Sequence, residues 1–231
     1  MAKPIRKKLE VQHDKSTFQI KLKQRLLIGA IILYTFLLFS KTLTNDFVNW
    51  DDPFYLQQNM LIQDLSWNNI VKIFKTPVIG MYNPLTFITF AIEHHFWKFD
   101  PHPYHFFNLL FHLINVWLVF IFICRLTKNI NAAAIVALLF AIHPLHVGAV
   151  AWVSQRKTVL FAIFYFLALI EYLKFIESDK KTKKYILIIL YFILSLLSKP
   201  SAVSLPLILL LIDYYIGRKY TLKTLIEKIP F

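Results

Sequence analysis

The sequence predicts an all-α, polytopic membrane protein with about six transmembrane helices and a long first extracytoplasmic loop that carries short amphipathic helices. Three observations predict it. Hydrophobic residues make up 57% of the 231 residues, with a mean hydropathy of +0.54, and they fall in long runs rather than in the short alternations of a soluble core. The 26 Lys and Arg against 13 Asp and Glu cluster beside those runs, where cations meet anionic headgroups. One stretch of about 60 residues, 45–104, is aromatic and polar and holds no run long enough to span.

The chain opens with a basic segment, 1–25, that reads as a cytoplasmic tail on or near the membrane surface. The membrane domain is 26–231. Leu26–Phe39 is apolar apart from Gly29, Tyr34 and Thr35. No small-x-small cleavage site follows, so an uncleaved helix over 26–44 is expected, at about 28 Å close to the hydrocarbon thickness. In the loop 45–104, Ser66 caps a short interfacial helix with Trp67, Ile70, Val71 and Phe74 on one face. Asn83-Pro84 starts a second helix, to about Trp97. Five further spans are expected at about 105–124, 130–144, 158–176, 185–198 and 203–216, and 217–231 forms a cytoplasmic end leading to a missing span. The third and fifth spans are short and end in proline breaks, at His143-Pro144-Leu145-His146 and Ser198-Lys199-Pro200-Ser201. Irregular backbone at membrane depth needs protein or a wet cavity around it, so these breaks should lie sunk beside the first loop.

Orientation follows from the basic residues. Alternating sides places 19 of the Lys and Arg on the face holding 1–25, 125–129, 174–184 and 217–231, and 7 on the other. The richer face is cytoplasmic, so the first loop is extracytoplasmic: periplasmic in a bacterial inner membrane, or lumenal in the endoplasmic reticulum of a eukaryote.

Asp51 and Asp52 leave the membrane together beside Trp50. Ionisable groups at that depth are candidates for function. One aspartate can serve as a general base, its like-charged neighbour and desolvation raising its pKa. A turn or capping role in a solvated loop competes, and a divalent metal on the pair is a less favoured third reading. Arg156, Lys157 and Lys199 defy the orientation rule at the mouths of spans, where cations facing carboxylates fit a lipid phosphate. Snorkelling or simple ion pairing is the competing reading, evenly for Arg156 and Lys199 and ahead for Lys157. His143 and His146 flank a proline and so share no regular helical face; they read as interfacial or substrate contacts rather than metal ligands. Asn108, His112 and Asn115 share one face of the second span and read as a helix–helix polar seam. Tyr82, Trp97, Tyr104 and Trp152 read first as belt aromatics. The single Cys124 gives no disulfide framework, and four glycines with no Gly-rich loop argue against a nucleotide site. Nucleic acid is not an expected partner, the charge being juxtamembrane.

Asp46-Phe47-Val48-Asn49-Trp50-Asp51-Asp52, Tyr82-Asn83-Pro84-Leu85-Thr86, Tyr104–His112, Ala141–His146, Ala151–Lys157 and Leu197–Pro200, in that order, resemble the N-terminal membrane part of the transmembrane-and-tetratricopeptide-repeat O-mannosyltransferases and their bacterial relatives. The resemblance covers about 45–217. It implies a GT-C-like fold, here truncated, and inverting transfer of a sugar, by expectation mannose, from a polyprenyl-phosphate carrier to a protein hydroxyl outside the cytoplasm. It implies Asp51 as base with Asp52 as partner, and Arg156 and Lys199 at the donor phosphate. Lys157 is a further candidate at that phosphate, and His143, His146, Trp50, Tyr82, Glu93 and Trp152 are candidate substrate contacts. No cofactor is expected. The family runs on into further spans and repeats, so a chain ending at Phe231 is expected to be an N-terminal fragment. A transporter or flippase half, built on the proline-broken spans, and a non-catalytic assembly subunit are the alternatives.

Overall fold

The structure, a computed structural model, describes residues 22–178 and 181–231. The expected tail at 1–25 lies almost wholly outside the described residues. Among those described the protein is all-α. Helix α1 is Leu22–Thr44, its last turn, Ser40–Thr44, wound as a 3₁₀ helix. It is followed by α2 (Trp67–Ile73), α3 (Pro84–Trp97), α4 (Pro101–Thr127), α5 (Ile130–Ile142), α6 (His146–Ala151), α7 (Arg156–Glu177), α8 (Lys181–Ser198), α9 (Leu205–Tyr215) and α10 (Leu222–Ile226).

Three helical segments, Leu22–Thr44, Pro101–Thr127 and Val153–Glu177, are long and apolar enough to cross a membrane; α5 and α9 are apolar but shorter. For α5 the shortness has the expected cause, since His143-Pro144 ends it. The fifth expected span, α8, is instead 18 residues long; Lys199-Pro200 ends it before the 3₁₀ turn Pro200–Ser204 that leads into α9, because proline removes a helical donor and restricts the residue before it.

Helices α4 and α7 form the centre and run parallel. Asn115, midway along α4, bonds the backbone of Val159 near the start of α7, and Lys128, just past the end of α4, pairs with Glu177 at the end of α7. Helix α5 returns antiparallel along α4. Ala133, Ala137 and Ala141, one turn apart, are fully buried there against Val116, Val119 and Phe120, since small side chains let helix backbones approach. Helix α8 runs back along α7, with Ser195 bonded to Phe161 O and Lys184 to Glu171. Leu205, Leu209 and Ile212 of α9 complete that core. The polar seam on α4 is real: Asn108 donates to Trp152 O, His112 bonds Ala141 O and Asn115 donates to Val159 O.

The bundle therefore has two unlike ends. One gathers 45–104, the 143–155 break and the 199–204 break. The other gathers Lys23, Arg125, Lys128, Lys174, Lys184, Arg218 and Lys228.

Two details of the first loop depart from expectation. Ser66 caps α2 as expected, accepting from Asn69 N at 3.4 Å. The side of α2 that meets the protein is Asn69 and Ile73, however, while Trp67 and Phe74 are exposed. Asn69 can face inward because its amide bonds Leu61 O and Asp64 O, and this turns the apolar face away from the body, as a helix lying on a membrane requires. Asn83 precedes α3 but its side chain does not cap it.

Candidate functional site

The two aspartates separate. Asp52 is fully buried. Ser154 donates to its Oδ1 from both the backbone N–H, at 2.9 Å, and the hydroxyl, and Val48 N–H donates to Oδ2 at 2.8 Å. Three donated bonds satisfy the carboxylate inside the protein, so Asp52 fastens the first loop to the segment before α7. Asp51 is half-buried, and among the described residues its carboxylate makes no hydrogen bond or ion pair. Its charge lies within electrostatic reach of Tyr55 and Lys157.

Lys157 Nζ donates to Tyr55 OH at 3.0 Å and stands 4.6 Å from that ring's centroid. Lys199 Nζ donates to Thr158 Oγ1 at 2.9 Å. Burial first, then the neighbouring charge of Lys157, holds the Lys199 ammonium below its usual pKa. Burial, reinforced by Asp51, pushes the Tyr55 phenol up. The Asn83 amide lies beside Tyr55, too loosely for a proper hydrogen bond, and both its amide atoms are buried without a partner. At the loop-rich end one carboxylate, Asp51, thus lies near Lys157, Lys157 lies near Lys199, and the Asn83 amide beside Tyr55 is unspent.

Arg156 and Glu93 need correcting. Expected at the donor phosphate, Arg156 is instead 0% exposed. Its guanidinium donates to Asn108 Oδ1 (2.8 Å), Tyr104 O (2.7 Å) and the Glu93 carboxylate, and lies 4.5 Å from the Phe90 ring centroid. Its donors are directed into the core, where it joins α3, α4 and α7. Glu93, expected at the substrate, is its counter-ion. Burial pushes the Glu93 carboxyl up to about 7, against the pull of Arg156.

The remaining candidates surround this region unevenly. Trp50 is 72% exposed. Tyr82 is exposed and its hydroxyl donates to Phe74 O at 3.0 Å. His143 is exposed, and His146 turns inward to bond Phe140 O at 2.7 Å. Trp152 is half-buried with its indole N–H unpartnered. Among the described residues no three His, Cys, Asp or Glu side chains converge as a metal site requires. Sequence reasoning missed Tyr55, Asn83 and Thr158. Asn83 and Tyr55 carry no signal by themselves, and Ser154 is tied to Asp52 only through the fold.

The class these features define is a helical membrane protein with a charged site at one end of its bundle. Comparison with known proteins gives it relatives. The protein O-mannosyl-transferase TMTC3 of Mus musculus is 30% identical over 146 residues, 62% of this chain and 16% of that protein. TMTC1 of Homo sapiens is 37% identical over 93 residues, 39% of this chain and 10% of that protein. Tmtc1 of Drosophila melanogaster is 26% identical over 185 residues, 77% of this chain and 21% of that protein. No family model and no solved structure matches. Over the matched residues the chain is a relative of the TMTC-type protein O-mannosyl-transferases, and it spans about a sixth of the length of the mouse protein.

Proposed function

We propose that this chain carries the catalytic end of a membrane glycosyltransferase. It moves a sugar, mannose by analogy with its relatives' names, from a polyprenyl-phosphate carrier to a protein hydroxyl, with inversion. The observation that carries the reading is Asp51: a carboxylate without a bonded partner among the described residues, within electrostatic reach of Lys157, which in turn neighbours Lys199. A general base has to keep its lone pairs for the acceptor proton, and Asp51 does so while Asp52 does not. A phosphate needs cations with donors to spare; an ammonium has three, and the bonds of Lys157 to Tyr55 and of Lys199 to Thr158 leave donors that Arg156, committed to Glu93, Asn108 and Tyr104 O, does not have. In this role Arg156 is a positioning residue that fixes the start of α7 and hence Lys157. The bias of Lys and Arg to the opposite end supports an extracytoplasmic site.

The test is transfer itself. The full chain in proteoliposomes, given polyprenyl-phosphate radiolabelled mannose and a serine- and threonine-containing acceptor peptide, should label the peptide, and Lys157→Ala with Lys199→Ala should weaken donor binding. Absence of labelling alongside vectorial movement of the lipid or the sugar would favour a transporter instead.

A further inference from the structure

Below the charged end, between α4, α5, α7 and the turn before α9, lies a cavity of about 330 Å³, within the range of small-molecule sites. Phe140, Phe161 and Phe166 supply aromatic wall. Its polar lining is the side chains of Asn115, His112 and His146 with the hydroxyls of Thr158, Tyr165 and Ser204, and the last two are bonded to each other at 3.0 Å. Asn115, 1% exposed, donates its Nδ2 to Val159 O at 2.8 Å, and its Oδ1 is buried with no partner. The carbonyl partner fixes the amide orientation, since a carbonyl only accepts. The same logic fixes both histidines of the lining. His112 Nε2 lies 3.1 Å from Ala141 O and must carry the hydrogen, so Nδ1 of the neutral ring is an acceptor. His146 Nδ1 lies 2.7 Å from Phe140 O and must carry the hydrogen, so Nε2 is an acceptor. The cavity adjoins the lysines through Thr158, which lines it and accepts from Lys199.

A buried acceptor without a donor is costly. Three acceptors, two from α4 and one from the start of α6, set among aromatic rings, fit a ligand that brings hydroxyl donors and apolar ring faces. An aliphatic chain satisfies none of the three, and an anion is repelled by all of them. We propose that this cavity binds an uncharged, polyhydroxylated ring of hexose size: the sugar of the lipid-linked donor, its hydroxyls donating to Asn115, His112 and His146 while its phosphate meets Lys199. This rests on the donor reading proposed above and adds to it where the sugar sits and why a neutral sugar is preferred.

The experiment compares two probes on the full chain in nanodiscs: a short-chain prenyl phosphate, and the same lipid carrying mannose on its phosphate. The wild type should bind the mannosylated probe at least about tenfold more tightly, as two or three additional hydrogen bonds allow. Asn115→Leu should bring that ratio close to one and leave the sugar-free probe unchanged. Because Asn115 also joins α4 to α7, Ala162→Leu, which fills the cavity from α7 without removing a polar group, is the second variant and should do the same with an unaltered thermal transition. A ratio that survives in both variants overturns the proposal. So does equal loss of both probes in Ala162→Leu, which would mean that the cavity holds the lipid chain, and so does a wild-type ratio of one. Lysine variants that leave the sugar-free probe unaffected overturn the phosphate reading alone; a wild type that binds neither probe overturns both.

Discussion

Asp52 in the first loop and Ser154 in the break before α7, 102 residues apart, are joined through both the Ser154 N–H and its hydroxyl. The bond pair explains why neighbouring aspartates take different parts: one is spent on architecture and the next is left free. Asp52→Asn swaps an acceptor for an amide N–H that confronts either Ser154 or Val48 N–H. It should cost about 1–3 kcal/mol of stability, seen as an earlier thermal transition in detergent. Asp51→Asn should leave that transition in place. The opposite pattern would reverse the two roles.

Arg156 is predicted to hold the fold. Removing one partner of a buried ion pair leaves an uncompensated charge and costs about 3–5 kcal/mol. Arg156→Ala should therefore give little folded protein on heating or in size-exclusion chromatography. Arg156→Met combined with Glu93→Gln should be milder than Arg156→Met alone, because no buried charge remains. A folded Arg156→Ala protein that has lost only donor affinity would restore the phosphate role expected from sequence.

The Glu93 carboxyl makes stability pH-dependent in a definite direction. Its folded-state pKa, about 7, lies above the usual carboxylate value, so the folded state binds more protons than the unfolded state between roughly pH 4.5 and 7. That contribution to stability is fully present below the unfolded pKa and is lost as pH rises through about 7. The thermal transition should rise as pH falls from 8 to 5, and Glu93→Gln should flatten that part of the profile. A wild-type transition that falls over this interval would mean that Arg156 keeps Glu93 ionised.

Lys199 gives a second pH signature. Burial and Lys157 hold its pKa below the usual lysine value of 10.5, so its charge is lost at lower pH than an ordinary lysine's. Affinity for a prenyl phosphate should decline as pH rises through that lowered value, and Lys199→Arg, which stays charged, should delay the decline. Identical profiles for the two proteins would remove Lys199 from the phosphate site.

The helices and breaks were legible because they are local. Apolar runs, the Ser66 cap and the two prolines act over a few residues, and the segments expected as spans coincide with helices α4, α5, α7, α8 and α9 to within about four residues at each end, although of these only α4 and α7 are long and apolar enough to cross a membrane. The parts played by Arg156, Lys157 and Asp52 were not legible. All three are ionisable residues near a membrane mouth, and which of them turns inward depends on partners 48 to 102 positions away: Asn108 and Glu93 for Arg156, Tyr55 for Lys157, Ser154 for Asp52. Adjacent helical residues point in different directions, so Arg156 enters the core while Lys157 turns towards Tyr55 and Asp51. Nothing in the residue types decides which takes which direction.

The most direct test of the central claim is single-turnover sugar transfer by Asp51→Asn beside its donor affinity. Asn keeps the shape of Asp but cannot take the acceptor's proton, and a positioned general base contributes about 10² to 10⁴ in rate. The account predicts a loss of that size in transfer, with donor Kd and the thermal transition near those of the wild type. Transfer at a near-normal rate by Asp51→Asn would contradict it.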